Sequence, residues 1–396
     1  MQRALSTFLL ALICLSGCAT PVSPVNGLPQ ATLTAPDSNR ATDVFPLTAT
    51  VTSPPARPPV DVLQQATAYT PVLSGSLTLK NQIELNMILD GQYLYWIVVE
   101  QEDTIFRMLL NGGPTEKFVT SKFKGGNVTV RTPIRAGNWF LYFDHNNSGT
   151  EPDWNLWAKN MQDGSEKVVL SGKGGFTTPY DLNYSASGEW LAWSHTIPQT
   201  QTTCEQSVLG LINLNTNEQI ELDRNCIDQY IWTIVQLSGQ TLVAEQDFPD
   251  FKGGGHSLYL FNDVLRKQYI PLADHNASMP QISPPWIVWK NGPRFEYSKS
   301  NTLYNLNDET RQAVIAPGES PSDPRLAGQW LHWISIDVNR GYNIFLYDLK
   351  REQAWKMPAP NEGIFMGVTT NGQWIIWSRS GKNAKDDWVL EWAKLP

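Results

Sequence analysis

The chain has 396 residues, 41% of them hydrophobic and 17% charged, with a net charge of −8 at neutral pH. That length suits one large domain with additions. The acidic balance carries no basic footprint and excludes nucleic acid as an expected partner; it favours solubility more than any particular ligand. At the N-terminus Arg3 supplies a positive charge and residues 4–15 form an apolar run too short to span a bilayer as a mature helix. Residues 1–17 therefore read as a signal peptide for export.

The segment Leu15-Ser16-Gly17-Cys18, directly after that apolar run, resembles the lipobox of bacterial lipoproteins: an apolar residue, two small ones and a Cys. The resemblance implies that Cys18 is diacylated through its sulfur and becomes the first residue after cleavage. The protein would then be exported and held on the lipid bilayer of a bacterial membrane, facing the periplasm or the cell exterior, since several acyl chains anchor stably. Of four Cys, Cys14 leaves with the signal and Cys18 takes lipid, so Cys204 and Cys226 remain to pair in an oxidising compartment. The lipidated Cys opens a linker expected over residues 18–72, with Pro at 21, 24, 29, 36, 46, 54, 55, 58, 59 and 71 among many Thr, Ser and Ala. Pro removes backbone donors and the segment has little apolar periodicity, so a disordered tether is expected. At about 3.1 Å per residue it reaches on the order of 100 Å.

From residue 73 to 396 a short phrase recurs. Its clearest copy is Gly188-Glu189-Trp190-Leu191-Ala192-Trp193-Ser194. The copies begin at Gly91, Gly137, Gly188, Gly239, Pro284, Gly328 and Gly372, in steps of 46, 51, 51, 45, 44 and 44 residues. The copy at Gly239 has lost both aromatics. A period in the forties is the signature of propeller blades, each a four-stranded antiparallel sheet. An apolar run before the Gly gives strand A, the phrase turns tightly into strand B, and a later run such as Leu156-Trp157 or Val208-Leu209 gives strand C. Turn residues such as Asn213-Leu214-Asn215-Thr216-Asn217 then lead to a short strand D. Strand B is apolar on both faces, as a blade with neighbours on both sides requires. Trp139, Trp190, Trp286, Trp330 and Trp374 are thus expected to pack between blades. The last copy stops at strand C, so residues 73–80 are expected to close the ring as strand D of the seventh blade, which removes exposed edges. The expected fold is all-β: a single seven-bladed β-propeller, favoured over six or eight blades.

Ser187-Gly188-Glu189-Trp190-Leu191-Ala192-Trp193-Ser194, together with the Asn-Leu-Asn turn after strand C, is similar to the TolB-type, WD-like propeller repeat of bacterial envelope proteins. The resemblance covers residues 73–396 and speaks to fold, which hosts many functions.

Cys204 and Cys226 lie equidistant from the Asn215-Thr216-Asn217 turn, which predicts facing positions across one hairpin and a disulfide at its open end. The A–B turns are uniform and the B–C loops vary, so the working surface is expected on the B–C/D–A face. Lys124-Gly125-Gly126, Lys173-Gly174-Gly175 and Lys252-Gly253-Gly254-Gly255 there offer backbone amides to an anion, or are plain loop tips. Asp144, Asn146 and Ser148, followed by Gly149, form the start of a calcium loop, a weak one because Pro152 and Asn155 occupy its ninth and twelfth positions. No other cofactor is expected. Loose carboxylate candidates are Glu245, Asp247, Asp250, Asp337, Asp386 and Asp387. His145, His195, His256 and His275 are placed in loops without zinc spacing, and His332 in a strand B core slot. These features favour a non-catalytic binding or assembly scaffold whose partner is a protein or an envelope glycan. The alternative is a propeller-fold glycan hydrolase or lyase using carboxylates on the B–C face.

Overall fold

The structure is a computed structural model. It describes residues 55–80, 87–98, 103–124, 128–146, 153–173, 182–197, 204–248, 255–274, 276–292, 298, 300–315, 320–321, 324–337, 341–358, 363–380 and 387–396. Seven antiparallel sheets follow one another along the chain and close into a ring, so the protein is a seven-bladed β-propeller. Blade 3 shows the plan: strand A is Leu182–Ser187, B Trp190–Ile197, C Gln206–Asn213 and D Gln219–Cys226. Blades 1, 2, 4, 5 and 6 span residues 88–120, 128–173, 231–273, 277–315 and 320–357. Blade 7 takes strands A to C from Phe365–Thr370, Trp374–Arg379 and Trp388–Lys394.

The repeated phrase works by alternation. Side chains of strand B point in turn to the blade before and the blade after. The first aromatic slot faces forward: Tyr93, Trp139, Trp190, Trp286, Trp330 and Trp374 each pack into the seam with the next blade. Three residues later the second slot faces back: Trp96, Tyr142, Trp193, Trp289, Trp333 and Trp377 fill the seam with the preceding blade. The core is accordingly seven hydrophobic clusters, one per seam, and not one central mass. Blade 4, whose phrase lacks aromatics, fills its backward seam with Trp232 from strand A and Phe261 from strand C.

Two backbone features lock the phrase. Its Gly adopts a left-handed conformation, with φ of 60° at Gly188, which a Cβ would strain. A residue within three positions of the end of each strand C donates its N–H to the carbonyl just after that Gly position. The seven bonds, from Leu110, Met161, Leu214, Val264, Leu306, Leu349 and Leu395, measure 2.7 to 3.0 Å. Elsewhere Gly210 stands opposite Trp193, where a Cβ would lie 2.6 Å from the indole.

The N-terminal segment departs from expectation. The linker assigned to residues 18–72 ends earlier, because residues 56–68 pair with the propeller. Strand β1 (Ala56–Asp61) adds in parallel to the outer edge of blade 5, and strand β2 (Thr67–Ala68) does the same on blade 6. Between them the single turn α1 (Val62–Gln65) crosses the seam. Val60 and Val62 are buried in the blade 5–6 cluster, which supplies the apolar contact that a tether lacks. Pro can stand in β1 because an outermost strand leaves half its donors unpaired. Arg57 pairs with Asp308 at 2.5 Å and the Arg311 N–H donates to the Pro55 carbonyl. Strand β3 (Leu73–Leu79) then pairs antiparallel with Trp388–Lys394, completing blade 7 as the sequence predicts. Residues 55–79 thus strap the outside of three consecutive blades.

Cys204 and Cys226 form a disulfide with Cα atoms 5.8 Å apart. They are not direct cross-strand partners, because a bulge between Leu209 and Gly210 shifts the register and sets Cys226 opposite Gln206. Replacing both Cys with Ser frees a 22-residue separation in the unfolded chain and is expected to lower stability by about 3 kcal/mol. Urea midpoints of the oxidised protein and the double variant measure this, and equal midpoints would refute it.

Candidate functional site

The antiparallel strand order places the A–B and C–D turns at one end of the ring and the B–C and D–A connections at the other. Near the B–C end, strand B stops being apolar. Asp144, Ser194, Glu245, Lys290, Ser335 and Ser378 are all buried there. Burying such groups is costly unless they are paired, and three of them tie neighbouring blades. Asp144 accepts from Ser121 Oγ at 2.6 Å and from the Lys122 N–H at 2.8 Å, both of blade 1. Burial raises its pKa, and those two bonds pull against the rise. Ser194 Oγ donates to the Thr233 carbonyl of blade 4 at 2.8 Å. Glu245 Oε2 accepts from the Met279 N–H of blade 5 at 2.9 Å. Thr233 and Met279 sit at bulges of strand A, where the ladder is interrupted and backbone groups are free to face a neighbouring blade.

The residues singled out from sequence fall as follows. Asp144 and Asn146 lie in strand B of blade 2 (Trp139–Asn146), not in a loop, and Ser148 is outside the described residues. Asp144 is fully buried and already engaged, and among the described residues no group of three or more His, Cys, Asp or Glu is arranged for a metal. His145, His195 and His256, expected in loops, belong to strands, and His275 is outside the described residues. Glu245 and Asp247 lie in strand B of blade 4 (Thr241–Phe248) and meet at His256, whose Nδ1 is 3.2 Å from Glu245 Oε1 and 3.8 Å from Asp247 Oδ1. Asp337 ends strand B of blade 6 and Asp387 precedes strand C of blade 7, so neither belongs to that cluster. Asp250, Asp386, Cys18, Gly125, Gly126, Gly174, Gly175, Gly253 and Gly254 fall outside the described residues, and Gly255 opens strand C of blade 4.

Two concave features stand out. A groove of about 910 Å³ runs along the blade 4–5 seam toward the B–C/D–A face, bounded by β1. Arg57, Asn276, Asn291, Thr302 and Arg311 line it, and Asp274 is its one carboxylate among the described residues. Sequence reasoning missed it because β1 supplies one wall. The second is an axial pocket of about 390 Å³ lined by residues of blades 1, 5, 6 and 7, among them His332. His332 is buried where the other blades carry Tyr95, Leu141, Ala192, Val243, Val288 and Ile376. Neither of its ring nitrogens has a hydrogen-bond partner. Burial, with the Arg325 cation second, pushes its pKa down to about 3; the nearby Val368 and Trp330 backbone opposes this without completing a hydrogen bond.

The fold has many neighbours among solved structures. The chain is similar to a prolyl endopeptidase (9% identity, TM-score 0.57), covering 82% of this chain and 51% of that one. It is also similar to the acylaminoacyl peptidase of Pyrococcus horikoshii (11% identity, TM-score 0.54), covering 81% and 52%. A third neighbour is the β-propeller domain of the trilobed protease from Pyrococcus furiosus (9% identity, TM-score 0.54), covering 80% and 94%. Identities this low show the fold alone. The chain spans about half the length of the two peptidases. The Pyrococcus furiosus domain has an open velcro topology, whereas β3 closes this ring. No protein-family model matches the chain, and no curated protein matches it by sequence.

Glu245→Ala leaves the part-buried Met279 N–H without its acceptor, so a loss of about 1–3 kcal/mol is expected in urea unfolding, and a smaller one for Glu245→Gln, which keeps an oxygen. For His332 the sign follows from its depressed pKa. Below pH 6.5 the unfolded chain binds a proton that the native state refuses until about pH 3, so stability falls as pH falls through that window. His332→Val is expected to flatten that part of the stability profile by a few kcal/mol at its acid end, and parallel profiles would refute the assignment.

Proposed function

We propose that this protein is an exported lipoprotein, anchored to a bacterial membrane through Cys18, whose propeller is a non-catalytic binding or assembly scaffold for a protein or an envelope glycan. The observation that carries the binding reading is the blade 4–5 groove. It is rich in amide, hydroxyl and guanidinium groups and opens toward the face where the loops vary. Such donors and acceptors suit recognition of a polar chain, whereas paired-carboxylate cleavage of a glycan needs a second acid that the groove's described lining does not offer. The Glu245 and Asp247 pair does not serve instead, since Glu245 is fully buried and holds the seam. The export reading draws support from the disulfide, which forms in oxidising compartments. The segment up to residue 54 would hold the ring away from the bilayer.

Two measurements test this reading. Cys18→Ala is expected to move the protein from the membrane to the soluble fraction, and retention on the membrane would remove the anchor. The soluble variant is then mixed with isolated cell envelopes treated with protease or with glycan hydrolases. Saturable binding abolished by one of the treatments supports a scaffold and names its partner class. Release of glycan fragments by the protein itself would establish the hydrolase or lyase instead.

A further inference from the structure

The axial pocket carries a second functional assignment, independent of the groove. Its wall is contributed by four blades: Met87 from blade 1, Gln281 from blade 5, Arg325 and His332 from blade 6, and Val368 and Thr369 from blade 7. The chain as a whole carries a net charge of −8, yet among the described residues no Asp or Glu lines this cavity, while an Arg and a His do. Arg325 and His332 are cross-strand partners, so both side chains belong to the same face of the sheet. Arg325 is exposed to the cavity, and among the described residues no carboxylate pairs with it. His332 lines the same cavity, is only 2% exposed and leaves both ring nitrogens unpartnered. An unpaired buried polar group costs free energy. Five other blades place Leu141, Ala192, Val243, Val288 or Ile376 at this slot, and blade 1 places Tyr95, so His332 is the one imidazole there.

We propose that the axial pocket binds a small oxyanion, a molecule bearing a carboxylate or phosphate group, held between the Arg325 guanidinium and the His332 imidazole with the Gln281 amide as a further donor. The guanidinium presents parallel N–H groups that match two oxygens of such an anion. A neutral imidazole keeps one N–H to donate, which satisfies one of the two orphaned nitrogens. The burial of His332 strengthens its contact. A cavity of about 390 Å³ admits a small molecule and not a folded partner. Carboxylate and phosphate share this chemistry, and separate probes distinguish them.

The Cys18→Ala full chain is titrated with inorganic phosphate and, separately, with succinate, by calorimetry and by NMR of the histidine rings. The five His make the His332 signal identifiable by its loss in His332→Gln. The expected result is saturable binding of at least one probe, with the His332 ring signal shifting along the same isotherm. Arg325→Gln, a change at an exposed position, is expected to fold and to weaken that binding about tenfold or more. Binding of phosphate alone assigns the pocket to phosphate groups, and binding of succinate alone assigns it to carboxylates. Saturation of neither probe, an unmoved His332 signal, or equal affinity in a folded Arg325→Gln variant overturns the proposal.

Discussion

The structure depends on one contact made seven times: strand B of each blade buries apolar side chains against both neighbours. A sheet with one wet face needs a single hydrophobic stripe, but a blade has no wet face. The forward aromatic and the backward aromatic, three residues apart, fall on opposite faces because the strand period is two. Trp190 therefore belongs to the seam after blade 3 and Trp193 to the seam before it. Each seam joins residues of two repeats, so a blade alone has only half of each of its two cores, and the ring is the smallest unit that buries them all. Blade 4 shows that the requirement is for volume at the seam and not for the phrase, since Trp232 reaches the same place from another strand.

Polar chemistry follows from that arrangement. Where strand B approaches the B–C end, Asp144, Ser194 and Glu245 extend the inter-blade contact with hydrogen bonds to a neighbouring blade. In sequence such acids read as catalytic or metal-binding candidates, because acid residues near variable loops have that look. In space they are buried struts. The proposed ligand contacts use groups that a repeat does not need: the amide and guanidinium lining of the groove beside β1, and the Arg325–His332 pair at the axis.

The N-terminal strap changes how the ring is secured. Closure by β3 alone would hold blade 7, but the chain reaches it only after running along blades 5 and 6. Opening the ring at blade 7 would leave those outer pairings in place. The same strap forms a wall of the groove, so the segment that resists ring opening also shapes a concave surface beside it.

The sequence by itself determined the blade count, the order of strands within a blade, the seam positions of the tryptophans, the closing strand and the pairing of Cys204 with Cys226. These are local or strictly periodic: a strand, a turn and a hairpin are decided by residues within a few positions of one another, and seven repetitions make the pattern audible. Only the tertiary structure decided where residues 56–68 go, which acids are struts and which cavities exist. Arg57 meets Asp308 across 251 positions of sequence, with no periodic signal to announce it. The burial of Glu245 likewise depends on the backbone of Met279 in the next blade. Arg325 and His332 acquire meaning only because ring closure brings blades 1, 5, 6 and 7 around one axis, a juxtaposition that no stretch of chain contains.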